Sequence, residues 1–421
     1  AGGGAAGGAG AAEEAPYDAD AVPDVVVALA DALEADGANG RVLVTGASGY
    51  LGAHVTQQCL RAGFRVRGTV RSLTNEAKVA PLRALWPAAR HPLELVEAEL
   101  TDAASWTKAV EGVTYIIHVA SPFPASKPKD ENELVRPAVD GTLNVLRAAA
   151  NARGAVKRVV VTSSIAAVAG HLDGYDSDEE PVTHTEAAWT DVTKAAPYPK
   201  SKTLAERAAY RYVEELPDAL RFEITTVNPG FIIGPMLTRT ASTSTEIPSR
   251  LLNREMPAVP DLHWQAVDVR DVAKMHLLAL ATPAAAGKRF LCVSENLSVR
   301  AAADAMAAHF DPLGYDIPTM PLPKAALWLA SWWDDSIAMV LPQVGKRQYF
   351  SNARARNELG MRFRPIIPAF IEFARSLIVQ GLVPDKSGGR ITAATAAEAT
   401  RKVDAGASAS TTPAPTPAAA T

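Results

Sequence analysis

Between residues 41 and 230, apolar runs of strand length alternate with longer stretches of helical period. Val42 to Val44 is a short run with β-branched residues, which predicts a buried strand. Leu51, Val55 and Leu60 then repeat at helical spacing up to Gly63, where positive φ readily ends a helix. Phe64 to Val70 alternates as a second strand; Leu93–Glu97, Tyr115–Ala120, Lys157–Thr162 and Phe222–Val227 read as the third to sixth. Helical spacing at Ala103–Val110, at Glu131–Ala152 and from about Tyr198 fills the gaps, and no hairpin signal interrupts the series. This alternation predicts an α/β fold, a doubly wound parallel sheet with right-handed crossovers.

Past Gly230 the pattern loosens into a Thr/Ser-rich loop at 238–245. Ala266–Val269, a helix Val272–Ala281, a strand Arg289–Val293, a helix Val299–His309 and a helix near Lys324–Val340 follow. They are expected to form a smaller substrate-binding domain over 231–384, with some elements returning to the sheet of 41–230. Trp328, Trp332 and Trp333 share one face of the last helix and read as core packing or a pocket wall, because Asp334 and Asp335 oppose an anionic membrane surface.

The two ends change the domain count. Residues 1–40 are Ala/Gly-rich and carry eight acids (Glu13, Glu14, Asp18, Asp20, Asp24, Asp31, Glu34, Asp36) with no Lys or Arg. Residues 385–421 are dominated by Ala, Thr, Ser and Pro. Neither end offers the apolar surface to offset its ordering entropy, so both are expected to be disordered, Val25–Leu33 supplying at most a marginal helical turn or two. Without those eight acids, 42 basic residues face 38 of the chain's 46 acidic ones. A mildly basic body suits an anionic small molecule and falls short of a nucleic-acid footprint. Cys59 and Cys292 lie in apolar elements and read as buried free thiols of a reducing compartment. No run of 18 apolar residues predicts a membrane span. The acidic, Arg-free beginning does not read as a transit peptide, and a cytoplasmic location is expected, although the chain opens on Ala rather than Met. Monomer and homodimer both remain open.

Candidate chemistry begins at Thr45-Gly46-Ala-Ser48-Gly49-Tyr50-Leu51-Gly52. Gly46 allows a tight turn, Gly49 lets a pyrophosphate approach the backbone, Gly52 lets helix and strand pack closely, and the helix N-terminus faces the phosphates. Glycines alone also mark ordinary turns, and the TGxxGxxG spacing differs from GxGxxG. Arg71 ends the second strand where NAD-preferring folds carry an acid, and with Lys78 it favours the 2′-phosphate of NADP. Tyr198 and Lys202 lie four apart on one helix, where an ammonium beside a phenol lowers the phenol's pKa toward a proton donor's range. Ser164 closes the fifth strand and completes a set of three complementary side chains. His118 reads as a satisfied core histidine, and the acids of His171–Glu180, which lack calcium-loop spacing, as a solvated loop. No metal ligand set is assigned.

The segments VLVTGASGYLG, GTVRS, HVASP, VVVTSS, YPKSKTLAERAA, VNPGFIIGP, VDVRDVA and GKRFLC together resemble the extended short-chain dehydrogenase/reductases, and within them the dihydroflavonol reductase/cinnamoyl-CoA reductase-like group. The resemblance spans nearly all of 41–384 and implies a Rossmann-type domain that binds NADP(H). It implies that Ser164 hydrogen-bonds a substrate carbonyl, Tyr198 donates the proton, and Lys202 holds the nicotinamide ribose. It further implies Arg71 and Lys78 on the 2′-phosphate and Glu99 and Leu100 near the adenine. Val119, Ala120 and Ser121 would lie along the nicotinamide side and Pro229 beside the ring. Ala169 stands where plant dihydroflavonol reductases carry Asn, and Ala-Ala-Pro-Tyr-Pro-Lys-Ser-Lys replaces the cinnamoyl-CoA reductase signature, so neither flavonoids nor CoA thioesters are assigned. Phe123, Ile165, Phe231 and Met236 are candidate walls of an apolar pocket for a small aldehyde or ketone. Two other readings use the same fold: a nucleotide-sugar epimerase/dehydratase, against which Ile165-Ala166-Ala167 stand in place of an acidic pair, and a non-catalytic NADP sensor, which typically lacks the Tyr or Lys.

Overall fold

A computed structural model describes residues 19–35, 40–122, 130–152, 155–170, 182–240, 243–333 and 341–395. After α1 (Asp24–Ala35), the chain alternates β1 (Arg41–Thr45), α2 (Tyr50–Arg61), β2 (Arg65–Val70), α3 (Glu76–Arg83), β3 (Glu94–Glu97), α4 (Ser105–Ala109), β4 (Val113–His118), α5 (Asn132–Asn151) and β5 (Arg158–Thr162). Past β6 (Thr183–His184) come α6 (Pro197–Glu214) and β7 (Glu223–Pro229). These strands, except β6, join β11 (Arg289–Cys292) in a seven-stranded parallel sheet ordered β11-β7-β5-β4-β1-β2-β3.

The apolar runs form strands because both sheet faces are covered, so residues of either parity are buried. Val42, Val44, Ile117 and Val160 pack into the core on the α2 side, while Leu43, Ile116, Val159 and Val161 pack into the core against α4, α5 and α6. The order reverses between β1 and β4, and at that switch point the carboxyl ends of the strands open a crevice.

Beyond β7, β8 (Phe231–Ile233) begins a second sheet with β10 (His263–Asp268) and β12 (Glu295–Ser298). Gly230 between β7 and β8 has no room for a side chain, since a Cβ there would lie 2.1 Å from the Gln265 carbonyl oxygen. The remaining elements are α7 (Glu246–Asn253), β9 (Val259–Pro260), α8 (Val269–Ala281), α9 (Val299–Phe310), β13 (Pro321–Leu322), α10 (Lys324–Ala330), β14 (Tyr349–Phe350), α11 (Ala353–Leu359) and α12 (Ile366–Val379). No helix among the described residues is long and apolar enough to cross a membrane.

Four expectations are corrected or sharpened. The head was expected to be disordered, yet α1 buries Val26, Ala30 and Leu33, at helical spacing, and packs on α8. Composition counted its acids as solvated, whereas Asp20 pairs with Arg364, Asp31 with Arg90, and Glu34 with Arg65. The tail is held as far as Thr395, with Ser387 and Ile391 buried. Some elements past Gly230 were expected to return to the sheet, and they are two that were grouped with the smaller domain: the strand at Arg289, where β11 pairs with β7, and the helix after Asp268, where α8 packs on α2. Finally, Trp328, Trp332 and Trp333 are 53%, 64% and 78% exposed among the described residues rather than packed in a core, and α10 ends at Ala330 before the last two. Asp334 and Asp335 lie outside the described residues, as does the acidic run His171–Glu180.

Candidate active site

The turn between β1 and α2 crosses the end of β4. Gly46 has φ +67°, and a Cβ there would lie 3.1 Å from Ala120 Cα. At Gly52 a Cβ would lie 2.1 Å from the Gly46 carbonyl oxygen, so only glycine lets α2 start this close to the strand. Thr69 of β2 fixes the turn: its Oγ1 accepts from Gly46 N and its carbonyl from Ala47 N. Gly49 caps α2 with extended backbone and no side chain, leaving the first-turn N–H groups for an anion. Between the glycines, the Tyr50 ring points inward, stacked on Phe373 at 5.5 Å with its hydroxyl donated to Gly234 O at 2.6 Å. Leu51 is likewise buried, so these two residues offer the crevice only their backbone.

Arg71 is exposed just past β2, and Lys78 on α3 lies close enough for the guanidinium to lower its pKa, second to burial. Lys78 Nζ donates to Thr240 Oγ1 at 2.9 Å, and Thr240 in turn donates to Ser48 O at 3.1 Å. The loop that begins at residue 238 thus ties Lys78 to the glycine turn, a contact no local pattern announces. Glu99 is exposed after β3, and Leu100 packs over Gly141, where a Cβ would lie 2.4 Å from Leu100 Cγ. Val119 and Ala120 are half-buried, with Ala120 N bonded to Thr45 Oγ1 at 3.0 Å. Pro229 is buried at the end of β7.

Ser164, Tyr198 and Lys202 converge at the ends of β5 and α6. Pro197 opens α6 at a position where its missing N–H costs nothing and puts the half-buried Tyr198 in the first turn. Ser164 Oγ accepts from Ala166 N at 3.1 Å and lies near enough to the Tyr198 hydroxyl to lower its pKa against burial. Lys202 Nζ lies 5.8 Å from the Tyr198 ring centre and donates to Ser121 Oγ at 2.9 Å. Burial lowers the Lys202 pKa to about 8 against the opposing charge of Glu206. The Tyr198 phenol departs from the expectation: burial raises its pKa, and the partner that pulls it down is Ser164 rather than Lys202, whose head group turns to Ser121.

Ser163 points the other way, donating to Glu206 Oε2 at 2.5 Å. A small cavity behind Lys202 is lined by His118, Ser121, Thr142, Ser163 and Glu206. His118 is buried, shares a hydrogen bond of 2.8 Å with Thr45 Oγ1, and is kept neutral by burial and then by Lys202, its pKa lowered to about 3. Ile165 and Phe231 are half-buried, and the Phe231 ring lies 4.9 Å from Trp264. Met236, expected as a pocket wall, is 5% exposed in the core, with its N–H bonded to Ser376 Oγ. Phe123 lies outside the described residues. Sequence reasoning missed Glu206, Asn228 and Arg289. The one available signal was Glu206 at the next turn after Lys202, on the face that already carries Tyr198.

Residues 42–292 match the NAD dependent epimerase/dehydratase family. The chain belongs to that family. It is 32% identical over 356 residues to tetraketide alpha-pyrone reductase 1 of Arabidopsis thaliana, covering 82% of this chain and 98% of the relative. It is also 32% identical to the dihydroflavonol 4-reductase of Zea mays, over 66% of this chain and 76% of that one. Among solved structures, Gre2 of Candida albicans in complex with NADPH aligns with a TM-score of 0.66 at 26% identity, covering 81% of this chain and 99% of that one. These relatives of the epimerase/dehydratase family are reductases, and the cofactor expected from Arg71 and Lys78 is the one the Gre2 complex holds.

Proposed function

We propose that this protein is an NADPH-dependent reductase of a small aldehyde or ketone. The observation that carries the reading is the convergence of Ser164, Tyr198 and Lys202, at the end of β5 and on the first turns of α6, on the crevice headed by the glycine turn. The α2 N-terminus and the glycine turn hold the pyrophosphate, and Arg71 with Lys78 holds the 2′-phosphate. Bound NADPH supplies the hydride. Ser164 donates a hydrogen bond to the carbonyl oxygen as negative charge builds there, and Tyr198 delivers the proton that neutralises it. Lys202 holds the ribose and presents its positive charge beneath the phenol. Ile165 and Phe231 give the pocket an apolar wall, which favours a bulky aliphatic or aromatic carbonyl compound over a sugar nucleotide.

Purified protein should oxidise NADPH in the presence of members of an aldehyde and ketone panel. Cofactor binding with no consumption across the panel would instead favour a sensor. Arg71→Ala should weaken NADPH by roughly ten- to hundredfold, the worth of one charge-assisted bond, and leave NADH almost unchanged. An equal loss for both cofactors, read by fluorescence titration, would remove Arg71 from the 2′-phosphate. With Lys202 lowered to about 8, its ammonium is present below that pH and lost above it. The rate of reduction should therefore be level near neutrality and fall as pH rises past about 8. A rate still climbing at pH 9 would argue against a charged Lys202 in turnover.

A further inference from the structure

We propose that Glu206 is the positioning residue that fastens the strand end carrying Ser164 to the helix face carrying Tyr198 and Lys202, an inference that rests on the reductase reading. Its carboxylate is fully buried and receives donors from three neighbouring strands. Ser163 Oγ on the β5 side donates at 2.5 Å, Thr226 Oγ1 and Asn228 Nδ2 of β7 at 3.0 and 2.8 Å, and Arg289 Nε of β11 at 2.6 Å. The Asn228 amide also donates to the Ser164 carbonyl oxygen at 3.2 Å. One carboxylate therefore fixes the residue before Ser164 directly and the Ser164 backbone through Asn228. Arg289 is itself held, lying 3.7 Å over the Trp189 ring and donating to the Glu186 and Ala188 carbonyls at 2.8 and 2.6 Å. On α6, Glu206 lies one turn beyond Lys202 and two beyond Tyr198, so all three share a face. The helix that presents the phenol and the ammonium is thereby pinned to the strand that presents the hydroxyl.

A buried ion pair is by itself weak evidence for stability, and a carboxylate that only filled space would not need to gather the serine and the asparagine at the reacting strand end. Glu206 also faces Lys202 across the small cavity. The groups around that ammonium are Tyr198 and Glu206 from α6, neutral His118 from β4 and Ser121 beyond it, with Tyr210 and Arg289 flanking Glu206 on its far side. The acid among them is Glu206, so its charge supports the charged form of Lys202.

The test compares Glu206→Gln and Ser163→Ala in the full chain with the wild type, using NADPH and a carbonyl substrate that the wild type reduces. Glu206→Gln should lower kcat about ten- to hundredfold, the scale of an ångström-sized misplacement, while NADPH affinity by fluorescence stays near the wild-type value. It should also move the alkaline limb of the pH–rate profile to lower pH by on the order of one unit, as expected when a neighbouring carboxylate loses its charge. Ser163→Ala removes one donor and keeps the carboxylate, so kcat should fall roughly two- to tenfold with the limb unmoved. Wild-type kcat and an unmoved limb in Glu206→Gln would overturn the assignment. Should Glu206→Gln not fold, wild-type kcat in Ser163→Ala would overturn it instead. A wild type that reduces no carbonyl compound sinks the reductase reading and this role with it, whereas an active wild type with an unaffected Glu206→Gln sinks this role alone.

Discussion

Tyr198→Phe should abolish most carbonyl reduction while leaving NADPH binding intact. The ring stays in the first turn of α6, behind Pro197 and above Lys202, so the shape of the crevice changes by a single oxygen. What disappears is the proposed proton donor, the hydroxyl that Ser164 influences. General acid catalysis by a positioned side chain contributes about 10²- to 10⁴-fold, and the loss in kcat should fall in that range. Burial raises the phenol's pKa, which suits the direction of the reaction: below that value the hydroxyl carries its proton and is ready to give it away. NADPH titrated by fluorescence should bind the variant almost as well as the wild type. Retained turnover would transfer the acid role to another group, and a large loss of cofactor affinity would mean that Tyr198 binds rather than reacts.

The parallel sheet was legible because its strands are buried on both faces, and runs such as Val42–Val44 and Val159–Val161 need no partner to be recognised. The crevice was legible for a related reason: its chemistry lies at strand ends and first helical turns, where glycine, proline and serine mark the chain locally. The approach of Ser164 to the phenol, the Glu206 network and the Lys78–Thr240–Ser48 chain are contacts between residues from 20 to 192 positions apart, and no local period encodes them. α12, Ile366–Val379, was missed although Glu372, Arg375 and Ser376 mark one side of an otherwise apolar helix at helical spacing. Met236 was assigned to a pocket on its apolar character alone, which fits a core position equally well. The head illustrates the limit of composition. A run of acids without bases reads as solvated until the bases of the folded body, Arg65, Arg90 and Arg364, are brought beside it.

The last of those pairings has the largest expected effect on stability. Arg364 is 2% exposed and binds both Asp271 of α8 and Asp20 of the head, the latter at 2.6 Å. Burial works against its charge, and Asp271 together with Asp268 and Asp20 outweighs that, holding the guanidinium protonated. Arg364→Met would keep much of the volume and leave the fully buried Asp271 carboxylate without its counter-ion. Removing one member of a buried pair costs about 3–5 kcal/mol, and urea unfolding followed by tryptophan fluorescence at pH 7 should show a loss of that size. The loss should depend on pH with a definite sign. Burial already raises the Asp271 pKa in the folded state, with Arg364 as the strongest opposing influence; without the guanidinium, burial and the Asp268 charge push it higher, so the folded variant takes up a proton that the unfolded chain releases. A carboxyl with a raised folded pKa contributes stability at low pH that is lost as pH rises through that pKa. The gap between variant and wild type should therefore narrow from pH 7 toward pH 5. Asp271→Asn in the Arg364→Met background should remove most of that dependence, since the buried neighbours Asp268 and Glu372 keep Arg270 as their counter-ion. A gap that stays constant with pH, or a cost at pH 7 no larger than that of an exposed pair, would mean that Arg364 holds the head and α8 together by shape rather than by charge.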